Sequence, residues 1–133
     1  MSIPVEMTAV ERWATEPRTV ALAASLLPDP HADPALICAS FGLRLAESDL
    51  GGYVHAVYFP DTIVCSTNPA LGPNGRRFAF LHEIGHHAVA TGRAPHIPPE
   101  REEAFCDGFA CAALALDPAV LADGLRGLDQ AAV

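Results

Sequence analysis

Arg76-Arg77-Phe78-Ala79-Phe80-Leu81-His82-Glu83-Ile84-Gly85-His86-His87-Ala88-Val89-Ala90-Thr91 is the stretch on which the reading of this chain turns. It has apolar residues at helical spacing, no proline, and an HExxH string from His82 to His86; Gly92 and then Pro95, Pro98 and Pro99 follow as stop signals. The segment is therefore predicted to be one helix. Residues four apart lie about 40° apart around a helix of 3.6 residues per turn, so His82 and His86 can grip one metal ion. Glu83 lies about 100° from His82 and about 60° from His86, bordering the metal face without being forced among the ligands. That position suits a base acting on water that the metal activates. With Phe78 at zero, the histidines and Glu83 occupy roughly 40° to 140°, while Leu81, Ile84, Gly85 and Ala88 fall near 240° to 340°. One face is chemical and the other is core.

Catalytic zinc takes three protein ligands and keeps a position for water, so a third ligand is needed downstream. Glu100, Glu102 and Glu103 all open the next predicted helix, where carboxylates also favour the amino-terminal dipole simply as solvated charges. Only Glu103 has a second carboxylate four residues on, at Asp107 and on the same face. Such a pair provides a ligand and an acceptor for the other nitrogen of a ligating histidine. Glu103 is therefore the expected third ligand, with Glu100 in reserve and Glu102 read as a solvated helix start. Histidine and carboxylate ligands suit Zn2+ best, although manganese, iron or cobalt fit the same donors.

Working outward, residues 3–27 carry apolar positions at rough helical spacing, interrupted at Pro17, and Pro28, Pro30 and Pro34 then break the run. A short helix is predicted over residues 33–41, with Asp33 as N-cap, Pro34 at the first helical position and Gly42 past the end. Residues 43–46, 53–59 and 62–66 are rich in β-branched and aromatic side chains and are separated by Gly51-Gly52 and Pro60-Asp61. They predict a small, mainly antiparallel sheet. A loop over 68–75 precedes the motif helix, a glutamate-bearing helix runs over 98–116, and a last helix opens at Asp117-Pro118. The expected class is α+β, one domain over 1–133: an N-terminal helical segment (1–32), a catalytic core (35–118) and a C-terminal helix (119–133).

Bulk properties narrow the function. The 133 residues, half of them apolar, form an adequate core for one domain. No stretch approaches the roughly 20 apolar residues of a membrane span and no export signal is evident, so a cytoplasmic protein without membrane contact is expected. Cys38, Cys65, Cys106 and Cys111 are then read as reduced thiols, the last two as core packing. A net charge of −8, with all eight basic residues arginine and only Arg76 and Arg77 adjacent, disfavours direct nucleic-acid binding. His87 is about 100° from His86 and should point away from the metal. His96 in the interhelical loop, Tyr53, His55 and Tyr58 are the residues available to stabilise an oxyanion.

The run Arg77-Phe78-Ala79-Phe80-Leu81-His82-Glu83-Ile84-Gly85-His86, followed by Glu103-Ala104-Phe105-Cys106-Asp107-Gly108-Phe109-Ala110, resembles the ImmA/IrrE family of bacterial metallopeptidases, whose usual form is RxFTLAHELGH followed by ExxANxFAAxLLMP. The likeness extends over about residues 35–118. It implies a compact gluzincin-like fold, His82, His86 and Glu103 as zinc ligands, Glu83 as catalytic base, and cleavage of a partner transcriptional repressor. The chain departs from the family at Cys106, where alanine is usual, and at Asp107, where asparagine is usual and where other gluzincins have aspartate. The rival expectation is a zinc-holding regulatory module that sequesters a repressor or toxin without cutting it.

Overall fold

Prolines and glycines set the element boundaries. The computed structural model describes residues 9–52, 54–68 and 72–116; Tyr53 and the C-terminal helix expected over 119–133 lie outside the described residues. Helices α1 (Ala9–Thr15) and α2 (Pro17–Leu26) are split where the sequence has Pro17. Pro17 has no N–H to continue α1, so it takes the first position of α2, and the Glu16 carboxylate caps that helix by accepting the Arg18 N–H. Helix α3 (Pro34–Ser40) follows the same rule, the Asp33 carboxylate accepting the Ala35 N–H at 2.9 Å.

Three strands follow: β1 (Arg44–Ser48), β2 (Ala56–Phe59) and β3 (Thr62–Ser66), in spatial order β1-β3-β2. The expected mainly antiparallel sheet is in fact mixed. β2 and β3 form an antiparallel hairpin around Pro60-Asp61, but β3 returns between β2 and β1 and pairs with β1 in parallel. The connection over 49–55, with Gly51 and Gly52 both at positive φ, skips one strand position and so leaves room for β3. Among the described residues β2 is therefore an edge strand.

Helix α4 (Pro73–Ala90) begins three residues before the predicted start, because Pro73 is accommodated in the first turn, where its missing N–H costs nothing. It ends where Gly92 adopts φ 72, a left-handed conformation that costs a glycine little. A single 3-10 turn (Pro99–Arg101) leads into α5 (Glu102–Leu114), shorter than the predicted helix at both ends. No helix among the described residues is long and apolar enough to cross a membrane.

The fold is α+β, with α5 at its centre. Phe105, Cys106, Phe109, Ala110 and Cys111 are all fully buried, and each such phenylalanine contributes roughly 1.5–3 kcal/mol by leaving water. Helices α1 and α2 cover one side of α5, where Trp13 meets Phe105 edge-on with centroids 5.4 Å apart. Helix α4 covers another, and small residues let the backbones close up. A Cβ on Gly85 would meet the Cys106 Sγ, Cα and Cβ at 3.1–3.3 Å, and one on Gly108 would lie 2.5 Å from the Trp13 Cβ.

Helix α4 is buried on two sides rather than the one its apolar pattern suggests. Leu81, Ile84, Gly85 and Ala88 are buried as expected, but so are Phe80, Glu83 and His87, on the flank that packs on the sheet. His82 and His86 are left half-buried along a narrow stripe of the helix.

Candidate metal centre

The helix spacing brings the two imidazoles together as expected, with Nε2 of His82 and Nε2 of His86 3.2 Å apart. Helix α5 crosses above them and lays the Glu103 carboxylate across both. Its Oε2 is 2.8 Å from the His82 Nε2, and its Oε1 is 3.2 Å from the His86 Nε2. Its side chain stays 75 % exposed, so the cluster opens to solvent on the Glu103 side.

The far nitrogens determine what these near ones are. His82 Nδ1 is 2.7 Å from the Asp107 Oδ1, and His86 Nδ1 is 2.6 Å from the Glu102 Oε2. An ionised carboxylate only accepts hydrogen bonds, so each Nδ1 is placed to donate to its carboxylate, which leaves each Nε2 on the Glu103 side as the candidate ligand atom. The two Nε2 atoms and the Glu103 carboxylate thus converge on one place, a donor set that one cation would bridge.

Zinc dimensions suit the two imidazoles. Two ligand atoms at about 2.0–2.1 Å from zinc in tetrahedral geometry would be about 3.3 Å apart, and the two Nε2 atoms are 3.2 Å apart, with one Glu103 oxygen 2.8 Å from the first and the other 3.2 Å from the second. The donor set is two imidazoles and a carboxylate, with the Glu103 side open to solvent.

A different trio also lies close: the donor atoms of His82, His86 and Cys106 are all within 4.8 Å of one another. The thiol is the poorer third ligand. Cys106 is fully buried against Gly85, and desolvation first, then the charges of Glu102, Glu103, Glu83 and Asp107, push its pKa far up. Zinc takes thiolate, so burial opposes ligation by Cys106, whereas the exposed Glu103 carboxylate lies 2.8 and 3.2 Å from the two nitrogens.

Glu83 lies beside the cluster, its Oε2 3.8 Å from the His82 Nε2, too far for a shared hydrogen bond. Burial raises its pKa, and the charge of Glu103 adds to this; the two histidines and a hydrogen bond from the Tyr58 main-chain N–H act the other way without cancelling it. A carboxylate with raised proton affinity next to an open metal position is suited to accept and release a proton. His82 is perturbed too. Burial lowers its proton affinity, but the hydrogen bond and charge of Asp107, with Glu83 and Glu103, outweigh this and hold it above the ordinary histidine value.

Of the residues singled out in the sequence, His82, Glu83, His86, Glu103 and Asp107 come together. Glu102, expected to be solvated, instead holds His86, because α5 crosses α4 so that consecutive residues 102 and 103 meet the two sides of one imidazole. No spacing rule marks Glu102, since a crossing angle is not written in one helix's periodicity. Glu100 is exposed on the 3-10 turn and joins none of these bonds. His96 is exposed on the loop before it and is equally apart from the cluster. Tyr58 turns its hydroxyl to the His87 Nδ1 at 3.0 Å. His87 is buried beneath the sheet, pointing away from the metal ligands as its helical position requires, and burial and Arg93 lower its pKa.

No family model matches the chain, and no curated protein or solved structure shows significant similarity to it.

Proposed function

We propose that this chain is a zinc-dependent endopeptidase of the HExxH type, cytoplasmic, that hydrolyses a peptide bond in a specific protein. His82, His86 and Glu103 hold the metal, Asp107 and Glu102 orient the two histidines, and Glu83 is the general base. The observation that carries this reading is the convergence of the two imidazole Nε2 atoms and the Glu103 carboxylate, with contacts of 2.8 to 3.2 Å between them, beside the buried Glu83.

A bound zinc ion supplies Lewis acidity, activating water at neutral pH and polarising a carbonyl. The remaining work belongs to the chain. Glu83 takes a proton from the attacking water on its carboxylate and returns it to the departing amine nitrogen, a role its raised proton affinity favours. Asp107 and Glu102 keep both Nδ1 atoms protonated, so that both Nε2 atoms remain ligands. The peptide lies along the free edge of β2, where the main-chain groups of Ala56 face outward.

The resemblance to the ImmA/IrrE family suggests a transcriptional repressor as the substrate. The test incubates the zinc-loaded chain with a cytosolic peptide library and reads new amino termini by mass spectrometry. Cleavage by the wild type and none by Glu83→Gln, with zinc retained in both, is the expected result. Cleavage surviving Glu83→Gln would sink the assignment of the base; zinc binding with no cleavage by either would leave the non-cutting regulatory module.

A further inference from the structure

Helix α5 offers the two imidazoles a second donor, from the core side. Glu103 and Cys106 are three residues apart and so share one face of α5, the face that meets His82 and His86. They approach differently: the Glu103 side chain is 75 % exposed, whereas Cys106 is fully buried. Gly85, between the two histidines on α4, is what lets the thiol in. A Cβ there would lie 3.1 Å from the Cys106 Sγ, so the sulfur rests against the α4 main chain at the turn that carries both imidazoles. One donor atom from each of His82, His86 and Cys106 lies within 4.8 Å of the other two. Tetrahedral zinc with a thiolate at about 2.3 Å and an imidazole at about 2.0–2.1 Å sets sulfur and nitrogen about 3.6 Å apart, so the trio is at most on the order of 1 Å too wide. A cation larger than zinc narrows that gap.

We propose that this centre also takes a soft, thiophilic cation, held by His82, His86 and Cys106 without Glu103. The inference shares the two histidines with the zinc site proposed above and rests on that reading for its contrast. The cation chooses the third donor: carboxylate is the hard ligand and thiolate the soft one, and both stand beside the same pair of imidazoles. Zinc, borderline in character, is served by the exposed carboxylate 2.8 and 3.2 Å from the two nitrogens. For Cd2+, which binds sulfur more strongly than oxygen, the choice reverses. The cation takes the place of the thiol proton: a metal–sulfur bond forms, the S–H bond breaks and one H+ leaves to solvent, so no free thiolate is left in the core.

The test titrates the metal-free full chain with Cd2+ and, separately, with Zn2+, comparing wild type with Glu103→Ala, Cys106→Ser and His82→Ala. Cadmium on the wild type should show thiolate-to-metal absorption in the ultraviolet. Its NMR resonance should lie downfield of the range for nitrogen and oxygen ligands alone, a readout that depends on no variant folding. Glu103→Ala should lose zinc yet keep cadmium with both signals. Cys106→Ser should keep zinc, lose both signals and bind cadmium at least about tenfold more weakly, since removing even the partner of a ligand costs that much. His82→Ala should weaken cadmium similarly, which ties the thiol to the histidines and sets it apart from Cys38, Cys65 and Cys111. No thiolate signal in the wild type would overturn the proposal. So would a signal that survives Cys106→Ser, an unchanged cadmium affinity in His82→Ala, or loss of cadmium together with zinc in Glu103→Ala. Zinc bound by a chain that shows no thiolate signal under cadmium would refute this inference alone; thiolate-bound cadmium in a chain that takes up no zinc would refute the zinc reading and leave the thiophilic site standing.

Discussion

Replacing Glu102 by alanine should weaken zinc binding by about 10–100-fold. The Glu102 Oε2 is 2.6 Å from the His86 Nδ1, a short charge-assisted bond on a carboxylate whose side chain is only 30 % exposed. Hydrogen bonds to charged groups are worth roughly 1.5–3 kcal/mol, and at about 1.4 kcal/mol per factor of ten this gives one to two orders of magnitude in affinity, the range seen when partners of metal-ligating histidines are removed. Without the carboxylate the ring is free to flip or to place its proton on Nε2, and either change removes a ligand. A chelator-competition titration at fixed pH and salt measures the effect, with Glu100→Ala as the control for lost negative charge nearby. An affinity within twofold of wild type, or equal to that of Glu100→Ala, would refute the reasoning.

Other consequences follow from the same geometry. Zinc binds deprotonated imidazole, and His82 is held above the ordinary histidine value of 6.5, so zinc affinity should rise with pH through a midpoint above 6.5 and level off beyond it; Asp107→Asn should move that midpoint down, as read by titrations at stepped pH. Cys106→Ala should keep one zinc per chain by elemental analysis while costing on the order of 1 kcal/mol in denaturant unfolding, because the thiol fills space against Gly85; loss of the metal would place the thiol among the ligands. Gly108→Ala forces a Cβ to within 2.8 Å of the Ala14 main-chain nitrogen, which cannot move without α1, and should lower stability by about 1–3 kcal/mol or more in thermal unfolding.

The most legible parts of this protein are those where one residue type has one physical use. Pro17 breaks the N-terminal helical run, Pro34 sits at a helix start, and Gly92 follows the end of α4 at positive φ, whereas Pro73 was read into a loop and in fact opens α4. His82, His86, Glu103 and Asp107 were placed by helical periodicity within two single helices, and that periodicity holds. What stayed hidden depends on relations between elements. The parallel pairing of β1 with β3 is invisible because a strand's alternation is the same whichever way its neighbour runs. Glu102 and the Tyr58–His87 bond are set by how α5 and β2 lie across α4, which neither segment's own pattern encodes. Burial of Glu83 and His87 was missed for a related reason: polar residues on a helix are read as exposed, yet here a sheet covers them and supplies their hydrogen bonds.

Elemental analysis of the freshly purified chain, compared with His82→Ala and Glu103→Ala, tests the account at its centre. One zinc per wild-type chain, lost in both variants while Cys106→Ala keeps it, is the predicted result. A wild type that takes up no metal even when zinc is supplied would contradict it, leaving the two imidazoles and the carboxylate as a polar cluster without a cation.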